Sequence, residues 1–355
     1  MSTVTDFEKR LASMVGTDYA IAVNSGTSAL HSALAAINVN NSEVVIPALC
    51  PAMVAFAVIH AGARPVYADV DKDTQLVTNE TLSKVIGART RAVISVALHG
   101  LPSDVDRIRK ITNPNGIILI EDCAQALLAR YKDVHAGAKA DIGCFSFEAK
   151  KHITTGSEGG AVLTSRPDIA KEVRKFSGLG YKHYEAEASD TRVREIHPSY
   201  QRHDTIGLNY RMSEAQAEVG LRELKTAQDK VWLRQEIGYL WQNALGCQCQ
   251  PHDYDAENAF YSAAYYSPTR FRWARMLDDF IKAGGDGFYA MNQLPENEPA
   301  LKDFPGLLPT PVADDLQQRL MLFKTHYTLQ EAKRQCDILS EAWKSVAACT
   351  QDHQS

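Results

Sequence analysis

Short apolar runs alternate with longer stretches of helical spacing along the first half of the chain. The runs are Tyr19 to Val23, Val44 to Ile46, Pro65 to Ala68, Ala92 to Val96, Ile117 to Ile120, Gly143 to Phe147 and Gly160 to Leu163. Several lack a polar alternate, the pattern of strands covered on both faces, and helix-like segments lie between most of them. The alternation predicts an α/β fold, a mostly parallel sheet with helices on both faces. From Ser213 the pattern becomes a long helical stretch, with Ser213 and Gln216 at the spacing of a capping box. This stretch carries the chain out of a large first domain, placed at residues 1–230. Residues 231–355 read as a smaller α+β C-terminal domain. It has a turn at Gly284-Gly285-Asp286-Gly287, a Pro-rich loop from Pro295 to Pro311 and a final amphipathic helix near Leu329 to Val346. No internal repeat is visible, which disfavours a solenoid.

Composition narrows the class. A chain of 355 residues, 45% hydrophobic and 23% charged, suits an ordinary globular protein of about two domains. With 43 acidic against 38 basic residues, the net charge of −5 offers no basic excess for nucleic acid. The longest apolar stretch, Pro47 to Ala63, is interrupted by Pro51 and His60 and falls short of the roughly 20 residues a bilayer span needs, so no membrane partner is expected. The opening MSTVTDFEKRLAS places charges where a secretory signal needs an apolar region, and a cytoplasmic location is expected. The seven cysteines are odd in number and include no CxxC pair, so neither a disulfide framework nor a metal site is expected. Cys247 and Cys249 read as ordinary thiols.

Four segments carry candidate chemistry. Asn24-Ser25-Gly26-Thr27-Ser28 joins an apolar run to a helical one. Unpaired amides and the positive end of the helix dipole make such a turn an anion site, with Gly26 permitting close approach and the hydroxyls of Thr27 and Ser28 as further donors. A capped helix without a ligand explains the same residues. Ile118-Leu119-Ile120-Glu121-Asp122-Cys123-Ala124-Gln125 is a buried strand ending in acids, where α/β sheets place ligands, although a helix N-cap reads equally well. The third segment runs from Gly143 through Phe145-Ser146-Phe147 to Lys150-Lys151-His152 and a Gly-rich turn ending at Gly159-Gly160. A lysine set between strands loses solvent, which lowers its pKa and makes it a nucleophile for an aldehyde; paired lysines are also common on a solvated surface. The fourth, Asn209-Tyr210-Arg211-Met212-Ser213, offers donors to an anion from a loop.

In this order the four segments resemble the sugar aminotransferases of the DegT/DnrJ/EryC1/StrS type, fold-type I enzymes that use pyridoxal 5′-phosphate. The likeness covers roughly Phe7 to Leu224. Further matches are Val45-Ile46-Pro47, the stretch Ala61-Gly62-Ala63-Arg64-Pro65-Val66 followed by Asp69, and His99-Gly100 with Pro102 and Asp104. The resemblance implies that Lys151 holds the cofactor through an imine and shuttles the proton, with Lys150 as the alternative. Counting forward from Phe145-Ser146-Phe147, or back from Gly156, selects Lys151. Counting back from Gly159-Gly160 selects His152 instead, because Ser157 reads as an additional residue in the turn, and related dehydratases carry histidine there. The resemblance further implies that Asp122 pairs with the pyridine nitrogen, that Gln125 reaches the phenolic oxygen, and that Gly26, Thr27 and Ser146 hold the phosphate. Asn209 is implied to reach the phosphate of a neighbouring subunit, hence a homodimer with shared sites.

The implied reaction moves an amino group from glutamate or glutamine to a keto group of a nucleotide-linked sugar. The polar stretch Tyr181 to Asp204 is expected to contribute to diphosphate binding through Arg192, Arg194 and Arg202, with Arg211 as a further substrate contact; a solvated loop is the plainer account of it. Cys50 and Pro51 stand where the family often places Thr and an aromatic ring that stacks on the cofactor, so an apolar contact from Pro51 or Met53 is expected instead. After Gly284 no clear counterpart of the family's closing motifs is found. Two alternatives remain at this level: a dehydratase on the same fold, and a non-catalytic cofactor-binding regulator. A nicotinamide dehydrogenase is disfavoured, because no G-x-G-x-x-G opens a helix.

Overall fold

Every apolar run becomes a strand. The structure, a computed structural model, describes residues 2–181, 201–246, 254–267 and 270–351. The runs form β1 (Tyr19–Val23), β2 (Glu43–Pro47), β3 (Arg64–Ala68), β4 (Thr90–Val96) and β5 (Ile118–Asp122). After a hairpin of β6 (Arg130–Tyr131) and β7 (Val134–His135) come β8 (Ile142–Ser146) and β9 (Gly160–Thr164). Seven strands make one sheet in the order β1-β9-β8-β5-β4-β2-β3. Its pairings are parallel from β8 to β3, while β9 runs antiparallel to both its neighbours. The strand ends of β1, β5 and β8 therefore lie on one edge, the edge where such sheets place ligands.

Both faces of this sheet are covered, and the strand residues show it by alternation. Ile21 and Val23 enter one apolar core while Ala20 and Ala22 enter another; Ile142 and Cys144 divide from Phe145 in the same way. A strand sandwiched between two cores has no polar face to display, which is why its sequence reads as an unbroken apolar run.

Ser213 opens its helix with the reciprocal capping box its spacing predicts: its hydroxyl accepts from the Gln216 amide, and the Gln216 side chain accepts from the Ser213 amide. The stretch that follows is two helices, Glu214–Leu224 and Ala227–Leu245. The second bridges two cores, with Val231 packed among the residues behind the large sheet and Ile237, Trp241 and Leu245 in a separate C-terminal cluster. That cluster is aromatic, with Trp241 and Phe288 packed on Phe323 at centroid distances of 4.7 and 5.1 Å, and the indole of Trp241 donating to the Lys324 carbonyl. It backs a three-stranded antiparallel sheet, β11-β13-β12, of β11 (Ser262–Tyr266), β12 (Tyr289–Ala290) and β13 (Leu320–Lys324); the short β10 (Ala256–Glu257) pairs with β6. The final helix runs Leu329–Gln351, and among the described residues no helix is long and apolar enough to cross a membrane.

The C-terminal region is tied to the part of the chain that carries the large sheet at several points, among them Asp69 and Gly100. Asp69, just past β3, accepts from the amides of Val312 and Ala313 at 3.2 and 2.9 Å and so caps the helix Pro311–Arg319 from a distant part of the chain. Gly100 has φ +103°, and a Cβ there would lie 2.6 Å from the Phe260 nitrogen. Only glycine lets the two backbones meet, and its carbonyl accepts from the Ala259 amide.

Candidate active site

The edge formed by the ends of β1, β5 and β8 collects the predicted groups. After β1, Ser25 caps the helix Gly26–Ala36, its hydroxyl accepting from the Ser28 amide. Helix geometry leaves the amides of Gly26 and Thr27 without partners inside the helix, at its positive end. Gly26 lies against the last residue of β8: a Cβ on it would come within 2.7 Å of Ser146 Cβ. This contact sets Ser146 beside Gly26 at the helix start, the corner expected to hold an anion. Ser28 is a correction, since its buried hydroxyl donates to Asn24 Oδ1 at 2.6 Å and is spent inside the cap.

Asp122 ends β5 and is 6% exposed. Its Oδ1 accepts from the Ala124 amide at 3.0 Å, while Oδ2 has no donor among the described residues. Burial pushes its pKa up; the Ala124 amide and the charge of Lys151 oppose the shift. A buried carboxylate with an unused oxygen calls for a cationic donor, which suits a protonated pyridine nitrogen. Glu121, one residue earlier, points to the other side of the sheet, where it accepts from the Gly137 amide at 2.6 Å. Burial raises its pKa to about 7.

Gln125 lies beside Asp122. Its Oε1 accepts from the amide of His99 at 2.7 Å, so the NH2 end of the side chain is the end left for the site. His99 is buried at φ +59°, with Nδ1 3.1 Å from the Ser262 hydroxyl and Nε2 unpartnered. Burial lowers its pKa to about 4, which keeps the ring neutral.

The structure gives the three adjacent basic residues, among which the forward count selects Lys151, different surroundings. Lys150 is exposed. His152 is buried and turned into the protein, with Nε2 2.9 Å from the Ala259 carbonyl and a pKa driven down to about 3 by burial. Lys151 is the residue in electrostatic contact with Asp122. Loss of solvent lowers its pKa, against the pull of Asp122, Glu148 and Glu158 and with the help of Arg234. Its Nζ sits 4.5 Å from the centre of the Tyr261 ring.

The fourth segment lies beside the first. Tyr210 accepts from the Asn24 amide, and bridges pair Arg211 with Val23 and Asn209 with Gly178. Asn209 and Arg211 are exposed, while Met212 is buried and Tyr210 half-buried. Arg202 is exposed; Arg192, Arg194, Cys247 and Cys249 lie outside the described residues. Pro51 is half-buried and Met53 is 51% exposed at the start of a helix. Sequence reasoning missed His99 as Gln125's partner, and missed Arg234 and Tyr261 altogether. For Arg234 a signal existed, since it falls on the buried stripe Val231, Ile237, Trp241 of its helix, where a charge is out of place.

A sheet of this order, with a lysine and a buried aspartate at one edge, is shared with solved aminotransferases. The structure of an aminotransferase from Psychrobacter cryohalolentis matches it with a TM-score of 0.87 at 27% identity, over 98% of this chain and 91% of that one. Residues 2–340 match the DegT/DnrJ/EryC1/StrS aminotransferase family, and the chain belongs to that family. The GDP-perosamine synthase of Escherichia coli O157:H7 is 32% identical over 250 residues, 70% of this chain and 65% of that protein. The GDP-perosamine synthase of Caulobacter vibrioides is 34% identical over 235 residues, 66% of this chain and 59% of that protein. The aligned region thus spans less than two thirds of these relatives' own length. The family match runs well past Leu224 and takes in the C-terminal region, where motifs alone found no counterpart.

Proposed function

We propose that the chain is a pyridoxal 5′-phosphate-dependent aminotransferase that moves an amino group from glutamate or glutamine to a keto group of a nucleotide-linked sugar. The names of the two relatives favour GDP as the nucleotide. One observation carries the reading: Lys151, rather than Lys150 or His152, is the base desolvated beside the buried carboxylate of Asp122. The unused Oδ2 of the buried Asp122 and the helix start at Gly26 support a fit to the cofactor of this family. Gly26, Thr27 and Ser146 would hold its phosphate, Gln125 would donate to the phenolic oxygen, and Asp122 would keep the pyridine nitrogen protonated. When bound, the cofactor supplies an electron sink for charge developing at the donor's α carbon. Lys151 Nζ, whose pKa is lowered by loss of solvent, takes the proton from that carbon and returns it across the site. The orientation of His152 disfavours a dehydratase, because its ring is committed to the Ala259 carbonyl. Retention of the lysine, the aspartate and the anion corner together disfavours a non-catalytic regulator.

The reading includes a homodimer with Asn209 reaching the neighbour's phosphate, and the division into residues 1–230 and 231–355. Support for the dimer comes from the exposed Asn209 and Arg211, together with Ile206, which is 94% exposed on the same segment. Arg192, Arg194 and Arg202 remain its candidate diphosphate contacts, with Arg211 a further candidate substrate contact. Borohydride reduction of the cofactor-loaded chain should leave the label on Lys151, and glutamate with a GDP-linked keto sugar should yield an amino sugar by mass spectrometry. A label on Lys150, or a product that has lost water without gaining nitrogen, would refute it.

A further inference from the structure

Arg234 projects from the helix Ala227–Leu245 and is 7% exposed. Among the described residues it meets no carboxylate. Its partners are neutral oxygens: Nη2 donates to the carbonyls of Lys150 and Lys151 at 2.9 and 3.1 Å, and Nη1 to the Tyr261 carbonyl and the Thr325 hydroxyl, each at 3.3 Å. Burying a guanidinium without a counter-ion is unfavourable, and hydrogen bonds to carbonyls recover only part of the loss. Tyr261, gripped by the same guanidinium through its backbone, turns its ring toward Lys151, with Nζ 4.5 Å from the ring centre.

We infer that Arg234 and Tyr261 are positioning residues for the amine of Lys151. The guanidinium grips the carbonyls of Lys150 and Lys151 and keeps a positive charge behind the amine, while the Tyr261 ring gives the protonated amine a face to rest on. The inference rests on Lys151 being the reactive lysine of the proposed function. Five groups face that amine: Asp122 from β5, Glu148 and Glu158 from its own loop, Arg234 from the helix, and Tyr261 from the residue before β11. The three carboxylates favour the ammonium form, as does the negative face of the ring. Arg234 and the loss of solvent favour the neutral amine. Removing the guanidinium therefore moves the deprotonation of Lys151 to higher pH, and removing the ring moves it to lower pH.

Trace acetylation of the cofactor-free chain across a pH series, localised to Lys151 by mass spectrometry, reads that midpoint directly. Arg234→Met should raise it by about one unit, the order expected for one neighbouring charge. Tyr261→Leu should lower it, and Tyr261→Phe, which keeps the ring, should leave it in place. General loosening would move both variants upward toward an ordinary lysine, so shifts of the same sign overturn the inference, as does an unmoved midpoint in Arg234→Met. If Arg234→Met does not fold, the Tyr261 pair decides, since a downward shift in Leu without one in Phe is required. Borohydride trapping stands apart: a label elsewhere removes Lys151 as the reactive lysine, whereas wrong midpoints with the label on Lys151 remove only the roles of Arg234 and Tyr261.

Discussion

The seven-stranded sheet and the three-stranded sheet contribute to the site in opposite ways. In the first, each group follows the end of a strand: Gly26 after β1, Asp122 and Gln125 at β5, Ser146 and Lys151 at β8. Parallel strands bring like ends to one edge, so place in the chain nearly equals place in the site. In the second, Tyr261 precedes β11, Thr325 follows β13, and Arg234 extends from a helix that serves both cores. None of these three occupies a motif position. The contrast suggests that the large sheet carries the reacting groups while the C-terminal region holds them in place.

That division can be broken by experiment. Lys151→Ala should lower turnover by about a thousandfold or more and abolish borohydride trapping; normal turnover would leave the large sheet without its central residue. Trp241→Ala, which empties the centre of the C-terminal aromatic cluster, should cost about 3–5 kcal/mol in urea unfolding while the folded fraction still traps the cofactor on Lys151. Loss of trapping at undiminished stability would show the two regions to be one functional unit.

A finer test lies on the far face of the large sheet. Glu121 titrates at about 7 when folded against an ordinary value of 4.5, so the folded chain holds its proton more tightly. Its contribution to stability is present below about 4.5 and is lost as pH rises through about 7. Glu121→Gln should therefore melt close to wild type at pH 4 and above it at pH 8, and a gain that does not grow with pH would count against the buried carboxyl. The smallest effect is expected from Asp69→Ala. Loss of the cap on Pro311–Arg319 should cost about 1 kcal/mol and speed hydrogen exchange at Val312 and Ala313.

Much of the architecture was legible from spacing alone. The seven strands were readable because burial on both faces removes polar residues from a run, and the Ser213–Gln216 cap because both partners lie within one turn. Gly26, Asp122 and Lys151 stood out through neighbours only a few positions away. The boundary between the helices Glu214–Leu224 and Ala227–Leu245 was not readable, because no glycine or proline marks Lys225-Thr226. The spent hydroxyl of Ser28 also escaped, since its residue type advertises a donor whether or not Asn24 has claimed it.

The sequence by itself determined the class of fold, the edge of the sheet that gathers the site, and a stretch of three basic residues holding its central base. Periodicity and capping are short-range properties, and they suffice for that. Counting from Phe145-Ser146-Phe147 favoured Lys151, but the contacts that set Lys150, Lys151 and His152 apart are tertiary. The path of a loop is set by what it packs against: His152 finds its acceptor at Ala259, and the carbonyls of Lys150 and Lys151 find theirs in Arg234, on segments no local pattern connects to them. Those contacts leave Lys151 half-buried, in electrostatic contact with the aspartate.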